Sequence, residues 1–296
     1  MDILDYVARR SELVNRALDV MLPGEDNAPQ VLHEAMRYSV LPGGKRIRPV
    51  LAMAAAEAVG KTPDSVLPLA AALECVHAYS LIHDDLPAMD NDDLRRGKPT
   101  VHKVFGEAIA ILAGDALLTL AFELLSSPET VRVYRPERVL VVIGELARAA
   151  GSHALVGGQA VDILSEGKQV DLKTVDYIVR AKTGALIRAA LVCGAVLAGG
   201  NHEQVELLGR YGTDLGIMFQ IKDDILDIEG DPAKMGKAAC KDESRGKATY
   251  PGLLGPERAK EMIRGLVASS LEALRPFGDA ARPLALLSRF VAERVH

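Results

Sequence analysis

The residues most able to do chemistry lie in one acidic stretch, positions 83–97 of the sequence. An apolar segment leads directly into it, and its carboxylates are Asp84, Asp85, Asp90, Asp92 and Asp93. Carboxylate oxygens are hard ligands of the kind that Mg²⁺ prefers, and no cysteine or coordinating histidine pair accompanies them. Because Pro87 and the Asp/Asn run interrupt a helix, we expect the chain to turn Asp90 back toward Asp84.

This stretch has two alternative interpretations. An acidic loop solvated by water stays open while the stretch is considered alone. An EF-hand calcium loop is excluded, because counting from Asp90 places Leu94 at the fifth position, where a ligand is needed, and Arg95 where glycine is required.

A second acidic motif, Asp223-Asp224-x-x-Asp227, closes another long apolar segment. Asp223 and Asp227 are four residues apart, so on a helix they share one face, where like charges repel unless a cation joins them. Two acidic motifs that each end an apolar helix predict two walls of one cavity with a metal group between them.

Basic residues complement this acidic pair. Residues 43–49 place three cations just before a predicted helix N-terminus, an arrangement that binds anions. Arg95 and Arg96 add guanidinium groups suited to phosphate oxygens, and Lys237 and Lys247 follow the second motif. Taken singly, each would be an ordinary solvated surface cation. Next to carboxylates that suit Mg²⁺, these cations indicate that the ligand is a diphosphate.

Other chemistries lack their signatures. The sequence has no Gly-x-Gly-x-x-Gly, and the segment from Gly230 to Lys237 misses the P-loop spacing and has Ala238 where serine or threonine is needed. Neither Gly-x-Ser-x-Gly nor His-Glu-x-x-His is present. The remaining chemistry is metal-assisted departure of a diphosphate.

The elements that must position these groups are helices. The 296 residues are 49% hydrophobic, strong helix formers fill the long segments, and no run alternates with the period of a strand. We therefore predict an all-α protein with one domain spanning residues 1–296. The predicted helices are 4–22, 28–40, 49–59, 65–86, 105–126, 136–150, 153–165, 171–199, 203–228, 256–274 and 281–294, with Gly60, Gly167 and Gly200 as C-caps.

Composition excludes several other classes. The apolar content excludes disorder, and a net charge of −5 with only 4% aromatic residues argues against a nucleic-acid binder. Three distant cysteines form neither a disulfide framework nor a zinc site. We find no signal peptide and no run of about 18 uninterrupted apolar residues, so we expect a soluble cytoplasmic protein without a membrane span.

Together the motifs resemble the trans-isoprenyl diphosphate synthases. The matching segments, in the family order, are the two Asp motifs, residues 43–49, Gly157-Gly158-Gln159, Lys182-Thr183 and Phe219-Gln220. The similarity runs from about residue 28 to 294, and the four residues between Asp85 and Asp90 match the bacterial farnesyl diphosphate synthases. The resemblance implies an isoprenoid synthase fold, in which an all-α bundle surrounds a central apolar cavity, usually in a homodimer. It also implies joining of an allylic diphosphate, dimethylallyl or geranyl, to isopentenyl diphosphate.

The resemblance further implies roles for individual residues. Those implied to hold three Mg²⁺ ions, for which Mn²⁺ is a possible substitute, are Asp84, Asp90 and Asp223. The carboxylates implied to support them are Asp85, Asp224 and Asp227. The cations implied to bind the allylic diphosphate are Arg95, Lys182, Lys237 and Lys247. The groups implied to bind isopentenyl diphosphate are Lys45, Arg48, His77 and Arg96, with Arg294 closing over it. The residues implied to face the carbocation are Thr183 and Gln220. One departure from the family pattern is Cys240, which stands where glycine is common.

Product length is implied by the residue five positions before Asp84. In the family this residue often acts as the floor of the cavity and so limits the length of the product. Here it is Tyr79, about 7–8 Å down the helix from Asp84, with Ser80 beside it. This pair resembles enzymes that stop at farnesyl diphosphate. The alternatives are a geranylgeranyl diphosphate synthase and a catalytically silent partner subunit. A class I terpene cyclase would carry a different second metal motif.

Overall fold

The computed structural model describes residues 2–229 and 247–294, and helices account for 79% of the structure, which confirms the all-α prediction. The first helices are α1 (Ile3–Met21), α2 (Gln30–Val40), α3 (Ile47–Ala58), a 3₁₀ turn (Pro63–Val66), α4 (Leu67–Asp84), α5 (Val101–Phe105), α6 (Glu107–Ser126), α7 (Pro128–Val133) and α8 (Pro136–Ala150). They continue as α9 (Leu155–Ser165), α10 (Leu172–Ile178), a π-helical turn (Val179–Gly184), α11 (Ala185–Ala198), α12 (His202–Glu229), α13 (Tyr250–Leu254), α14 (Pro256–Leu274), a 3₁₀ segment (Arg275–Ala281) and α15 (Arg282–Glu293).

The helices pack into two compact units. The N-terminal unit comprises Met1–Met53 and Thr62–Ile143, and the C-terminal unit comprises Ala54–Lys61 and Gly144–His296. Each contains one of the two acidic motifs. The single domain expected from the sequence stays a prediction.

In the N-terminal unit, α4 packs along α6 and is buried on nearly all sides. This burial explains why the helix is apolar all round rather than on one stripe. A Cβ at Gly114 of α6 would lie 2.2 Å from Nε2 of His83, so this glycine makes room for the imidazole. The close packing fixes the end of α4, where the first acidic motif begins.

A small hairpin follows the first acidic motif. Strands β1 (Leu94–Arg95) and β2 (Lys98–Pro99) pair antiparallel, so the expectation of no strands is wrong at this place. The two turn residues, Arg96 and Gly97, have φ values of 52° and 76°. Two positive φ values match a tight hairpin turn, but Arg-Gly is not the usual Asn-Gly or Asp-Gly signal for it.

In the C-terminal unit, the predicted helix 171–199 exists but contains an unpredicted π-helical turn at Val179–Gly184. This turn packs directly on α12, where a Cβ at Gly216 would lie 2.6 Å from Cα of Gly184. The two backbones therefore approach closely because Gly216 lacks a side chain. Helix α11 ends at Gly199, which has a φ of 90°, and not at the predicted cap Gly200.

Four helical stretches are long and apolar enough to cross a membrane, judged by length and hydropathy alone. They are Pro63–Asp84, Glu107–Val133, Pro136–Ser165 and Leu172–Ala198. The first and last are 67% and 72% buried within the protein, as expected of central helices in a bundle. The absence of a membrane span therefore stays a prediction.

We predict that Gly216→Ala lowers the free energy of unfolding by about 1–3 kcal/mol, because the methyl group would overlap Gly184 at the π-helical turn. Gly265→Ala is the matched control, since Gly265 lies within α14 with no atom near the added methyl group. We expect this control to gain about 0.5–1 kcal/mol from the lower entropy of its unfolded chain. Urea titration monitored by circular dichroism measures the free energy of unfolding of both variants. Equal unfolding midpoints would contradict the close contact between Gly216 and Gly184.

Candidate active site

The first acidic motif forms a turn at the end of α4. The backbone N–H of Asp90 donates to the carbonyl oxygen of Asp84 at 2.8 Å, and that of Asn91 donates to Leu86 at 3.0 Å. Asn91 adopts a φ of 51°, which asparagine tolerates better than most residues. The prediction that the chain turns Asp90 back toward Asp84 is therefore confirmed.

Asp85 of the first acidic motif forms an ion pair with Arg95. Its buried carboxylate accepts from Nε of Arg95 at 2.7 and 2.9 Å and from Nη2 at 2.5 Å. Burial raises the pKa of Asp85, whereas the hydrogen bonds and charge of Arg95 oppose that rise. Asp85 therefore anchors Arg95, which strand β1 presents to it.

A pocket in the N-terminal unit lies next to this ion pair. Its lining includes Tyr38, His77, Leu81, Arg95, Arg96 and Lys98. Burial, followed by the guanidinium groups of Arg48, Arg96, Arg95 and Arg46, holds the pKa of His77 well below its usual value. His77 is therefore a neutral imidazole in a strongly positive environment, which an anion would neutralise.

The glycine-rich loop ahead of α3 is shaped around Arg96. The guanidinium of Arg96 donates to the carbonyl oxygen of Gly43, and a Cβ at Gly44 would lie 2.5 Å from its Nη1. Gly44 also has a φ of 141°. Glycine at this position lets the loop and the arginine come together. Lys45 directly follows this glycine in the sequence.

Arg46, by contrast, does not face a ligand. It is 3% exposed, and its guanidinium contacts Glu74 at 2.5 Å, the carbonyl oxygen of Val40 at 2.6 Å and Asn15 at 2.9 Å. The expectation of three binding cations in residues 43–49 is therefore wrong for Arg46, which fastens the loop to the core. Lys45 and Arg48 stay the predicted binding residues.

In the C-terminal unit, Asp162 of α9 joins two of the predicted cations. Its carboxylate lies 2.7 Å from Nζ of Lys182 and 4.0 Å from Nζ of Lys247. On the same helix, a Cβ at Gly158 would lie 2.5 Å from the backbone nitrogen of Lys182. Sequence reasoning missed Asp162, although it lies one helical turn after Gln159 of the Gly-Gly-Gln motif.

The π-helical turn carries both Lys182 and Thr183. Thr183 Oγ1 donates to Oε1 of Gln220 at 2.7 Å, and Nε2 of Gln220 donates to Oδ1 of Asp224 at 2.8 Å. This relay connects the turn to the buried carboxylate of Asp224 in the second acidic motif. Such turns occur often at functional sites, because the extra residue redirects the neighbouring side chains.

Asp223 is held by Arg294, which directly follows α15. Nη2 of Arg294 donates to Oδ1 of Asp223 at 2.6 Å. Asp227 lies one helical turn further along α12, on the same face. Two residues singled out in the sequence, Lys237 and Cys240, lie outside the described residues.

The donor set suits a hard divalent cation. Asp84 and Asp90 are adjacent in the N-terminal unit, and Asp223 and Asp227 share a helix face in the C-terminal unit. Among residues 2–229 and 247–294, no three acidic, histidine or cysteine side chains form a ready-made metal centre. That the two motifs are opposite walls of one cavity stays a prediction.

We predict that Glu74→Gln lowers the free energy of unfolding by about 3–5 kcal/mol, because it leaves the charge of buried Arg46 without its counter-ion. Glu12→Gln is the control, because Glu12 forms an ion pair with Arg16 whose side chains are 68% and 65% exposed. That change should stay within about 0.5 kcal/mol. If the two variants have the same urea midpoint, the ion pair is not what fastens the glycine-rich loop.

Known proteins are similar to this chain over most of its length. The profile of the polyprenyl synthetase family matches residues 29–275. The large subunit 1 of the chloroplastic heterodimeric geranylgeranyl pyrophosphate synthase of Arabidopsis thaliana is 47% identical over 297 residues, covering 99% of this chain and 80% of that protein. The apo structure of an FPP/GFPP synthase from Zymomonas mobilis is 39% identical with a TM-score of 0.87, over 98% of both chains.

A geranylgeranyl pyrophosphate synthetase from Pyrococcus horikoshii is 33% identical with a TM-score of 0.88, again over 98% of both chains. These similarities extend over nearly the whole sequence and confirm the resemblance drawn from the motifs. The chain therefore belongs to the polyprenyl synthetase family and is a trans-isoprenyl diphosphate synthase.

Proposed function

We propose that the protein makes farnesyl diphosphate by condensing isopentenyl diphosphate head to tail with dimethylallyl and then geranyl diphosphate, with Mg²⁺ as cofactor. The observation that carries this proposal is the pre-positioning of two cations by carboxylates. Arg95 is held by Asp85, and Lys182 is held by Asp162. Each cation lies in a unit that also contains an acidic motif.

Asp84, Asp90 and Asp223 are the residues we propose to hold the ions, up to three per active site. Bound Mg²⁺ would neutralise the negative charge that develops on the departing diphosphate. The fit rests on the carboxylate oxygens of these three residues, which are the hard donors that Mg²⁺ prefers. Asp85 contacts Arg95, and Asp224 contacts Gln220.

Arg95, Lys182 and Lys247 would bind the oxygens of the allylic diphosphate. Because Asp85 and Asp162 fix their positions before substrate arrives, the cations need little reorganisation when charge moves onto the leaving group. Lys237 is the further residue that the resemblance implies for this role.

Isopentenyl diphosphate would bind to Lys45, Arg48 and Arg96 beside the neutral His77. A low pKa keeps the His77 imidazole uncharged at neutral pH, so it would donate a hydrogen bond without adding a further positive charge. The positive environment described for the pocket gives a second diphosphate a reason to bind in the N-terminal unit.

Thr183 and Gln220 would stabilise the allylic carbocation. The Thr183 hydroxyl donates a hydrogen bond to Gln220, so the lone pairs of its oxygen remain available to a neighbouring positive charge. The double bond of isopentenyl diphosphate would attack the cation, and the proton lost afterwards would pass to the released diphosphate. This account needs no general base from the protein.

We also propose a homodimer. Large apolar side chains are exposed on α6 and α8 of the N-terminal unit, among them Ile111 at 44%, Leu112 at 52% and Leu140 at 68%. A second copy of the chain would remove this apolar surface from water. The same assembly also accommodates the alternative of a silent subunit, which activity measurements distinguish.

Tyr79 supports a product of 15 carbons. Its ring is 5% exposed and meets the His83 ring edge to face at 5.8 Å. Burial and then the charge of Asp84 raise the pKa of Tyr79 to about 12, so the phenol stays neutral. The second candidate product is geranylgeranyl diphosphate, which is favoured by the names of relatives such as the Arabidopsis subunit.

The direct test is incubation with isopentenyl diphosphate, Mg²⁺ and each allylic diphosphate in turn. The products are treated with phosphatase, and the resulting alcohols are identified by mass spectrometry. Farnesol from dimethylallyl and geranyl primers supports the proposal, whereas geranylgeraniol supports the second candidate. Absence of elongation from every primer would indicate the silent subunit.

We predict that Asp84→Ala and Asp223→Ala each lower turnover by more than roughly a hundredfold, the scale of losing electrostatic stabilisation by a metal ion. Asp279→Ala serves as the control because Asp279 is an exposed aspartate in the 3₁₀ segment before α15. Initial rates measured with radiolabelled isopentenyl diphosphate report the effect. Turnover near that of the control in either variant would refute its role as a metal ligand.

We predict that Tyr79→Ala lengthens the product beyond 15 carbons, because it removes the bulky ring about one and a half turns below Asp84. Tyr79→Phe keeps the ring and removes only the hydroxyl, so its product should match that of the wild type. Chromatography of the dephosphorylated alcohols compares the three proteins. An unchanged product from the alanine variant would exclude Tyr79 as the floor.

A further inference from the structure

Arg294, which directly follows α15, makes an unusual set of contacts. Its side chain is only 8% exposed, although it is the last residue that the structure describes. One amino group donates to Oδ1 of Asp223 at 2.6 Å and to the carbonyl oxygen of Phe219 at 3.0 Å. The guanidinium carbon also lies 4.2 Å from the centre of the Phe219 ring.

Helix α12 makes these contacts possible. Phe219 and Asp223 are four residues apart and share one helix face, so a single guanidinium reaches both. The ring covers one face of the guanidinium and limits its access to water, which strengthens the attraction to the carboxylate. The Asp223 side chain is still 44% exposed. Arg294 therefore holds this carboxylate from one side.

We propose that Arg294 is the counter-ion of Asp223 in the metal-free protein and that a divalent cation binding at Asp223 must displace it. A second positive charge brought to the same carboxylate would repel the guanidinium, whichever carboxylate oxygen the ion takes. Metal binding and the docking of Arg294 are then antagonistic and, by linkage, each weakens the other equally. This inference rests on the proposed function in one respect, the role of Asp223 as a metal ligand.

The antagonism has a consequence for the position of the Arg294 charge at the end of α15. Metal binding would release a cation next to the second acidic motif, and any anion that draws Arg294 away would in turn strengthen metal binding. Arg294 is thus a positioning residue that acts through Asp223, with an effect that depends on its charge and not on its packing.

The test measures binding of Mn²⁺ alone to the full chain without substrate, by the loss of the free-ion electron paramagnetic resonance signal. Arg294→Met keeps an unbranched stem against the Phe219 ring and removes the charge together with the N–H donors. We expect its Mn²⁺ affinity to exceed that of the wild type by roughly three- to tenfold, the effect of one charge-assisted contact. Arg294→Lys, which retains the charge, should stay closer to the wild type.

Arg289→Met is the matched control, because Arg289 is an exposed arginine of α15, the helix that Arg294 follows, and its loss changes the net charge equally. Affinity for Arg294→Met equal to or below that of the Arg289 variant would overturn the proposal. Asp223→Asn should weaken Mn²⁺ binding, and adding Arg294→Met to it should then leave the affinity unchanged. If Asp223→Asn binds Mn²⁺ as the wild type does, the metal assignment itself fails, and the antagonism fails with it.

Discussion

Three buried or half-buried cations of this protein are held by carboxylates of its own chain, and the placement of the charged groups in the site depends on that compensation. Arg95 has Asp85, Lys182 has Asp162, and Arg46 has Glu74. Unpaired cations in a cluster would repel one another and lose a defined position, whereas paired cations keep theirs until an anion arrives. The chain can therefore gather enough positive charge for a diphosphate without destabilising its fold.

The same pairing separates residues that look equivalent in the sequence. Of the first two aspartates in the first motif, Asp85 turns inward to Arg95, while Asp84 adjoins Asp90 through a backbone hydrogen bond. Burial accounts for the difference, because Asp85 is 3% exposed and needs a partner that remains charged. Under the proposed function, a cation-anchoring residue and a metal-binding residue lie side by side in one motif.

Close backbone contacts provide the second requirement, which is accurate placement. Gly158 approaches the backbone of Lys182, and Gly216 approaches Gly184, the last residue of the π-helical turn. The turn that carries Lys182 and Thr183 is therefore fixed by neighbouring helices on both sides. Side chains at these glycines would push the turn away and shift the groups that it presents.

The sequence by itself determined the helical class, the two acidic motifs, the turn at Asp90 and the family, because these depend on residue type, local spacing and hydrophobic pattern. Only the tertiary structure decided the pairing of Asp162 with Lys182, the burial of Arg46, the hairpin around Arg96 and the contact of Arg294 with Asp223. Three of these are partnerships between residues 20 to 71 positions apart. Charge and spacing identify which residues are able to pair, but packing of the helices selects the partner that each one meets.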